Sequence, residues 1–261
     1  MPAADLPLLI EAAREAGRIA RSFNGAARSW NKPGDAGPVT EADIAVNEML
    51  EETLLAARPG YGWLSEETED TPARLSADRV FIVDPIDGTR SFVEGDDSWA
   101  HSLAVTENGA VTAAVVYLPM RDLLYAAALG QGATLNGEPI RPTTQADLGQ
   151  AELLATRPVL HSSNWASGTA PSFRRAYRPS LAWRMALVAE GRFDGLLTMR
   201  RCWEWDIAAG DLILREAGAL CTDARNAALR FNNPEPTRPG VIAAGPALHA
   251  RIAAAVRPPP P

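Results

Sequence analysis

Apolar side chains return every three to four positions near the start of the chain, at Leu8, Leu9, Ala12, Ala16, Ile19 and Phe23. That period predicts an amphipathic helix over about 6–23. The pattern breaks across 24–38, where Gly25, Pro33, Gly34, Gly37 and Pro38 predict a loop. Thr40-Glu41-Ala42-Asp43 has the form of a capping box and opens a second helix carrying Ile44, Met49, Leu50 and Leu54, ended by Pro59-Gly60. After the short apolar segment Tyr61–Leu64, the unbroken run Val80-Phe81-Ile82-Val83 predicts a buried strand. Ser102–Thr106 and Val111–Leu118 flank Asn108-Gly109, the strongest hairpin signal of the chain. Leu123–Leu129 predicts a further strand, followed by Gly130, Gly132 and Asn136-Gly137.

A polar, Pro-containing stretch near 141–150 is the best candidate boundary. Beyond it, predicted strands at 151–156, 194–199, 219–222 and 241–244 alternate with predicted helices at 180–190, 206–217 and 246–256. The expected class is α+β. Residues 1–145 are expected to form an N-terminal domain with a largely antiparallel sheet and helices, and 146–257 a smaller C-terminal α/β layer. The four prolines of 258–261 can neither continue a helix nor pair in a sheet and are expected to be a disordered tail.

Composition narrows the chemistry. A chain of 261 residues, 46% hydrophobic and 22% charged, has an ordinary globular make-up and room for a sizeable core. Its net charge of −7 offers no basic footprint for a nucleic-acid polymer. An acidic surface still admits a phosphate substrate, because a bound metal reverses the local potential. Cys202 and Cys221 show neither metal spacing nor a disulfide framework. Met1–Ile10 lacks the form of a signal peptide, and no apolar run reaches the roughly 18 residues of a membrane span. The expected location is the cytoplasm, with no membrane partner. No phosphate-binding P-loop and no nucleophile elbow appear, and His101, His161 and His249 share no motif. Trp63, Trp99, Trp203 and Trp205 read first as packing residues.

The candidate chemistry is acidic. Asp84-Pro85-Ile86-Asp87-Gly88-Thr89 sets two carboxylates at a strand end, before a Gly-Thr turn suited to a helix start. Carboxylates clustered there repel one another unless something compensates, and the usual compensation is a hard divalent cation held through oxygen. A helix N-terminus alongside would suit a phosphate. Three other acidic places admit plainer readings: Asp43 as a capping-box member, Glu66-Glu67 as a solvated loop, and Asp206 as a helix cap.

In order and together, these segments resemble the inositol monophosphatase superfamily of metal-dependent, lithium-sensitive phosphatases. Asp84-Pro85-Ile86-Asp87-Gly88-Thr89 resembles its first signature, and Trp205-Asp206-Ile207-Ala208-Ala209-Gly210 its second. Val39–Asp43 and Ser65-Glu66-Glu67 match the upstream acidic segments, and the likeness runs from about residue 8 to 256. The resemblance implies a layered αβαβα sandwich and two or three Mg²⁺ ions. They would be held by Glu66, Asp84, Asp87, Asp206 and the carbonyl of Ile86. It implies Asp43 and Thr89 as the pair that orients and deprotonates a water, with Gly88 and Thr89 holding the phosphate. Glu67 is expected to accept hydrogen bonds, and the longer Lys32–Pro38 loop leaves Lys32 without an assigned role.

The resemblance also implies a small phosphate ester as substrate. Inositol enzymes carry a carboxylate seven residues before the second signature's Asp, where this chain has Met199, followed by Arg200 and Arg201. Arg184 matches a Lys of bisphosphate nucleotidases, and cations at Arg184 and Arg200 would suit a second phosphate. The expectation is therefore 3′(2′),5′-bisphosphate nucleotidase activity, which takes 3′-phosphoadenosine 5′-phosphate to AMP. Inositol-1-monophosphatase and histidinol-phosphatase are the alternatives, with a homodimer a further expectation. From another class, a non-catalytic relative would lack part of the acidic set, and none of it is missing.

Overall fold

The computed structural model of the protein describes residues 4–23, 27–32 and 37–259. Helices α1 (Leu6–Ser22) and α2 (Glu41–Ala57) bracket a small antiparallel hairpin, β1 (Ser29–Asn31) with β2 (Pro38–Thr40). A seven-stranded sheet follows, paired in chain order. Its strands are β3 (Gly62–Ser65), β4 (Arg79–Asp87), β5 (Ala100–Glu107), β6 (Ala110–Leu118), β7 (Leu123–Ala128), β8 (Ala133–Leu135) and β9 (Glu138–Pro139). A five-residue helix, α3 (Thr89–Val93), leaves the end of β4. The β3–β4 pair is parallel and the remaining neighbours are antiparallel.

The second half supplies β10 (Glu152–Ala155), β11 (Arg174–Ala176), α4 (Leu181–Ala189), β12 (Gly195–Thr198) and β13 (Cys202–Trp203). It continues with α5 (Glu204–Ala217), β14 (Leu220–Thr222), β15 (Thr237–Arg238), β16 (Val241–Ala244) and α6 (Pro246–Ala255). Five of its strands make a mixed sheet in the order β11-β10-β12-β16-β14, and β13 pairs with β15 apart from it.

Side-chain alternation sets the layers. Along β4, Phe81 and Val83 pack with α1 and α2, whereas Val80 and Ile82 pack with α4 and α5. The far side of α4 and α5 meets Leu154, Leu196 and Ala243 of the second sheet. The other face of that sheet, through Leu153, Leu197 and Ile242, packs on α6. The order is therefore αβαβα. Helix α5 lies between two sheets, which is why Ile207, Ala208, Leu212, Ile213 and Leu214 are all buried instead of forming one apolar stripe. Gly210 lets α4 approach closely, since a Cβ there would sit 2.6 Å from the Cβ of Met185.

The long elements lie where the sequence puts them, while the 24–38 loop needs correction. Within its described residues, Ser29–Asn31 pairs with Pro38–Thr40 in register. Gly25, Pro33 and Gly34 lie outside the described residues. Strands β8, β9, β11, β13 and β15 also went unpredicted; each has two or three residues, too few to show a period. Of the proline tail, Pro258 and Pro259 are described and the Pro259 carbonyl accepts from Arg225, while Pro260 and Pro261 lie outside the described residues.

Candidate active site

The site begins with an irregularity in β4. The strand advances three residues from Asp84 to Asp87 while its partner β5 advances two, from Ser102 to Ala100. This bulge falls at Pro85-Ile86, where Pro has no ladder donor to lose. Gly88 follows at φ +103°, a left-handed conformation that turns the chain into α3; a Cβ there would also press on Ser98 and Trp99. Asp206 arrives from the first turn of α5. Oxygens of Asp84, Asp87 and Asp206 lie within 4.8 Å of one another.

Each carboxylate is held differently. Asp87 Oδ2 accepts from Ser180 Oγ and from the Ala182 N–H, both at 2.6 Å, at the N-terminus of α4. Ser180 also caps that helix by accepting from the Trp183 N–H. Asp84 is buried, and its Oδ1 finds no hydrogen-bond partner among the described residues. Ser102 Oγ donates to the Trp205 carbonyl at 2.9 Å, tying the start of α5 to β5. Glu66 lies just past β3, outside the close trio, with Lys32 Nζ 2.9 Å from its Oε1 and 2.6 Å from Glu67 Oε1. Lys32 thus acts as a counter-ion to both glutamates, and Glu67 accepts a hydrogen bond as expected.

The electrostatics are those of a site short of positive charge. Burial, then the charges of Glu66, Asp87 and Asp206, hold the Asp84 carboxyl well above the usual carboxylate range. Burial, then Asp87 and Glu66, do the same for Asp206. Burial also raises Asp87, against the hydrogen bonds from Ser180 and Ala182. Buried acids whose ionisation is this costly gain most from a cation among them.

Asp43 has two roles in the geometry. Its Oδ2 accepts from the Thr40 N–H at 2.9 Å, completing the capping box of α2, while its Oδ1 lies 3.3 Å from Thr89 Oγ1. The Thr89 hydroxyl is also 3.0 Å from the Ile86 carbonyl, and with one proton it donates to one oxygen at a time. Burial pushes the Asp43 carboxyl up to about 6, against the hydrogen bonds from Thr40. The capping and functional readings of Asp43 are therefore compatible.

These residues open on a cavity of about 540 Å³, within the usual range for small-molecule sites. Glu66, Asp84, Asp87, Gly88, Thr89 and Asp206 line one part of it. Arg184, Arg200, Tyr177 and Trp203 line the rest. Arg184 was expected at the surface if it had only a salt-bridge role. It is instead buried, donates to the Ser180 and Pro179 carbonyls, and leaves Nη1 without a partner among the described residues. Arg201 points elsewhere and pairs with Glu235. Met199 packs against the α6 side of the second sheet. Ser180 and Tyr177 carry no signature in the sequence, and Lys32 was singled out there without a role. A Ser before an apolar helical run was the one available cue, and it announced a cap rather than a partner for Asp87.

The donor set fits a hard cation: every candidate ligand is an oxygen, three carboxylates converge, and one buried oxygen lacks a partner among the described residues. The sequence has clear relatives. A curated inositol-1-monophosphatase of Rhizobium meliloti is 36% identical over 235 residues, covering 84% of this chain and 85% of its own. Among solved structures, an IMPase of Thermotoga maritima superposes with a TM-score of 0.82 at 29% identity, covering 96% of this chain and 95% of that one. SaIMPase-II with 2′AMP bound superposes with a TM-score of 0.80 at 25% identity, over 96% and 92%. The profile of the inositol monophosphatase family matches residues 5–258. With its acidic trio set at a bulged strand end between two sheets, the chain belongs to the inositol monophosphatase family of metal-dependent phosphatases.

Proposed function

We propose that the protein is a Mg²⁺-dependent phosphomonoesterase acting on a 3′(2′),5′-bisphosphate nucleotide, releasing AMP and phosphate from 3′-phosphoadenosine 5′-phosphate. The observation that carries the substrate reading is the pair of guanidinium groups, Arg184 and Arg200, on the wall of the cavity that holds the acidic trio. A buried cation whose Nη1 has no partner among the described residues favours a substrate with a second anionic group. The 2′AMP complex of SaIMPase-II supports a nucleotide as a ligand class for this fold.

Glu66, Asp84, Asp87, Asp206 and the Ile86 carbonyl would hold the Mg²⁺ ions. When bound, these supply Lewis-acid polarisation of the phosphate and acidification of a water. The chain's own residues do the rest. The N–H groups of Gly88 and Thr89 hold phosphoryl oxygens at the turn into α3. Thr89 Oγ1 accepts a hydrogen bond from the attacking water and passes a proton to Asp43 Oδ1, 3.3 Å away. The water adds directly to phosphorus and the ester oxygen departs, with no side chain forming a phosphoenzyme. Arg184 and Arg200 anchor the second phosphate.

The test is a side-by-side rate comparison of 3′-phosphoadenosine 5′-phosphate, inositol 1-phosphate and histidinol phosphate, with Mg²⁺ and with added Li⁺. The expected result is fastest, Li⁺-inhibited release of phosphate from the nucleotide. Equal or faster turnover of inositol 1-phosphate would overturn that ranking in favour of the second reading, which the name of the Rhizobium meliloti relative favours. Asp87→Asn keeps an acceptor for Ser180 and Ala182 but removes the charge, so it is expected to nearly abolish activity while the fold stands. Full activity in that variant would remove Asp87 from the metal site.

A further inference from the structure

Trp203 is 46% exposed on the cavity wall, an unusual place for an indole with only a packing role. Its ring lies on that of Trp205, with centroids 4.7 Å apart and planes 7° from parallel, and Trp205 is itself buried. One face of Trp203 is thus backed by a buried ring, and its exposure falls on the remainder. The mount is rigid. Trp203 is in β13, paired with Thr237 of β15, and directly precedes α5. Three residues on is Asp206, so platform and acidic trio are held at a fixed separation. A second exposed ring, Tyr177, lines the same cavity and lies over the Arg184 guanidinium at 5.3 Å. Flat apolar faces beside guanidinium groups suit a ligand that is part planar ring and part anion.

We infer that Trp203 is a specificity-determining residue: a preformed platform on which the planar base of a nucleotide substrate stacks while its phosphate is at the acidic trio. The inference rests on the nucleotide reading above and deepens it. It is tested by steady-state kinetics of the full chain with Mg²⁺ on 3′-phosphoadenosine 5′-phosphate and on inositol 1-phosphate, comparing wild type, Trp203→Ala and Trp203→Phe. Loss of a base–aromatic stack is expected to lower the ratio of kcat/KM for the nucleotide to that for the inositol ester roughly ten-fold, through KM. Phe is expected to restore part of the ratio. An unchanged ratio, or an equal loss on both esters, as from a packing defect, would overturn the proposal. Calorimetric titration with AMP keeps the two readings apart. If wild type hydrolyses neither ester, the phosphatase reading fails, while AMP binding weakened about ten-fold by Trp203→Ala still supports the platform. AMP bound equally by both proteins, or by neither, overturns it.

Discussion

Replacing Asp43 with Asn keeps the shape of the side chain and removes its capacity to accept a proton. The acceptor oxygen for Thr40 survives, so the α2 cap should weaken by about 1 kcal/mol at most. The rate should fall on the order of 10²- to 10⁴-fold, the usual contribution of a positioned base. The sign of the pH dependence follows from the raised value. Asp43 must be ionised to take a proton, so wild-type kcat is expected to fall as pH drops through about 6. A pH–rate profile between 5 and 8 checks this, and the acid limb should disappear in Asp43→Asn; a limb that persists would assign it to another group. Much of this residue-scale picture was legible beforehand. Thr40, Asp43, Asp84, Asp87 and Thr89 fall in short ordered motifs whose local chemistry is the same in any register. Ser180 was not legible as a site residue. It meets Asp87 across 93 positions of chain, a contact made by packing and not by spacing.

At the scale of elements, the N-terminus of α4 and the contact between α4 and α5 carry separate consequences. Ser180→Ala removes both the cap of α4 and one donor to Asp87. Losing an outer partner of a ligand commonly costs 10- to 100-fold in metal affinity, so the Mg²⁺ concentration for half-maximal activity is expected to rise on the order of ten-fold. Gly210→Ala tests packing alone. Helix propensity gains about 1 kcal/mol, but the new methyl would press on Met185 in a layer closed on both sides. The net expectation is a loss of about 1–2 kcal/mol, read as a lower midpoint in urea denaturation with an unchanged m-value. A midpoint at or above wild type would show that α4 shifts freely. Strands β4, β5 and β6 were legible because both faces of the sheet are covered and the apolar runs are long. The β1–β2 hairpin was not, because β1 is three exposed residues whose pairing is a backbone matter.

Over the whole molecule, the acidic trio joins the end of β4 to the first turn of α5, with Asp87 also bonded to the start of α4, so a cation bound there stabilises the fold as a unit. At Mg²⁺ concentrations about 100 times its dissociation constant, linkage adds about 2.7 kcal/mol. For a chain of this size that should raise Tm by roughly 5–10 °C. Thermal denaturation near neutral pH, with Mg²⁺ and then with excess EDTA, should show the rise and its loss. Asp87→Asn should show little of either. The αβαβα order itself followed from the family resemblance more than from periodicity, since the buried residues of α5 are not confined to one stripe and its sequence alone does not say that two sheets enclose it.

The bulge in β4 has a consequence for how this site could be discovered at all. Three steps along a regular strand would point Asp84 and Asp87 to opposite faces, so the extra residue in β4 returns the two carboxylates to one side. It also leaves main-chain oxygens for other partners: His101 Nδ1 takes that of Pro85, and Thr89 reaches that of Ile86. A backbone oxygen has no codon of its own. A scan that trims side chains one by one would register Ile86 as a core residue, fully buried, and pass over the oxygen that lies 3.0 Å from the Thr89 hydroxyl. Only a change in the count of residues between the two aspartates would bring that oxygen to light.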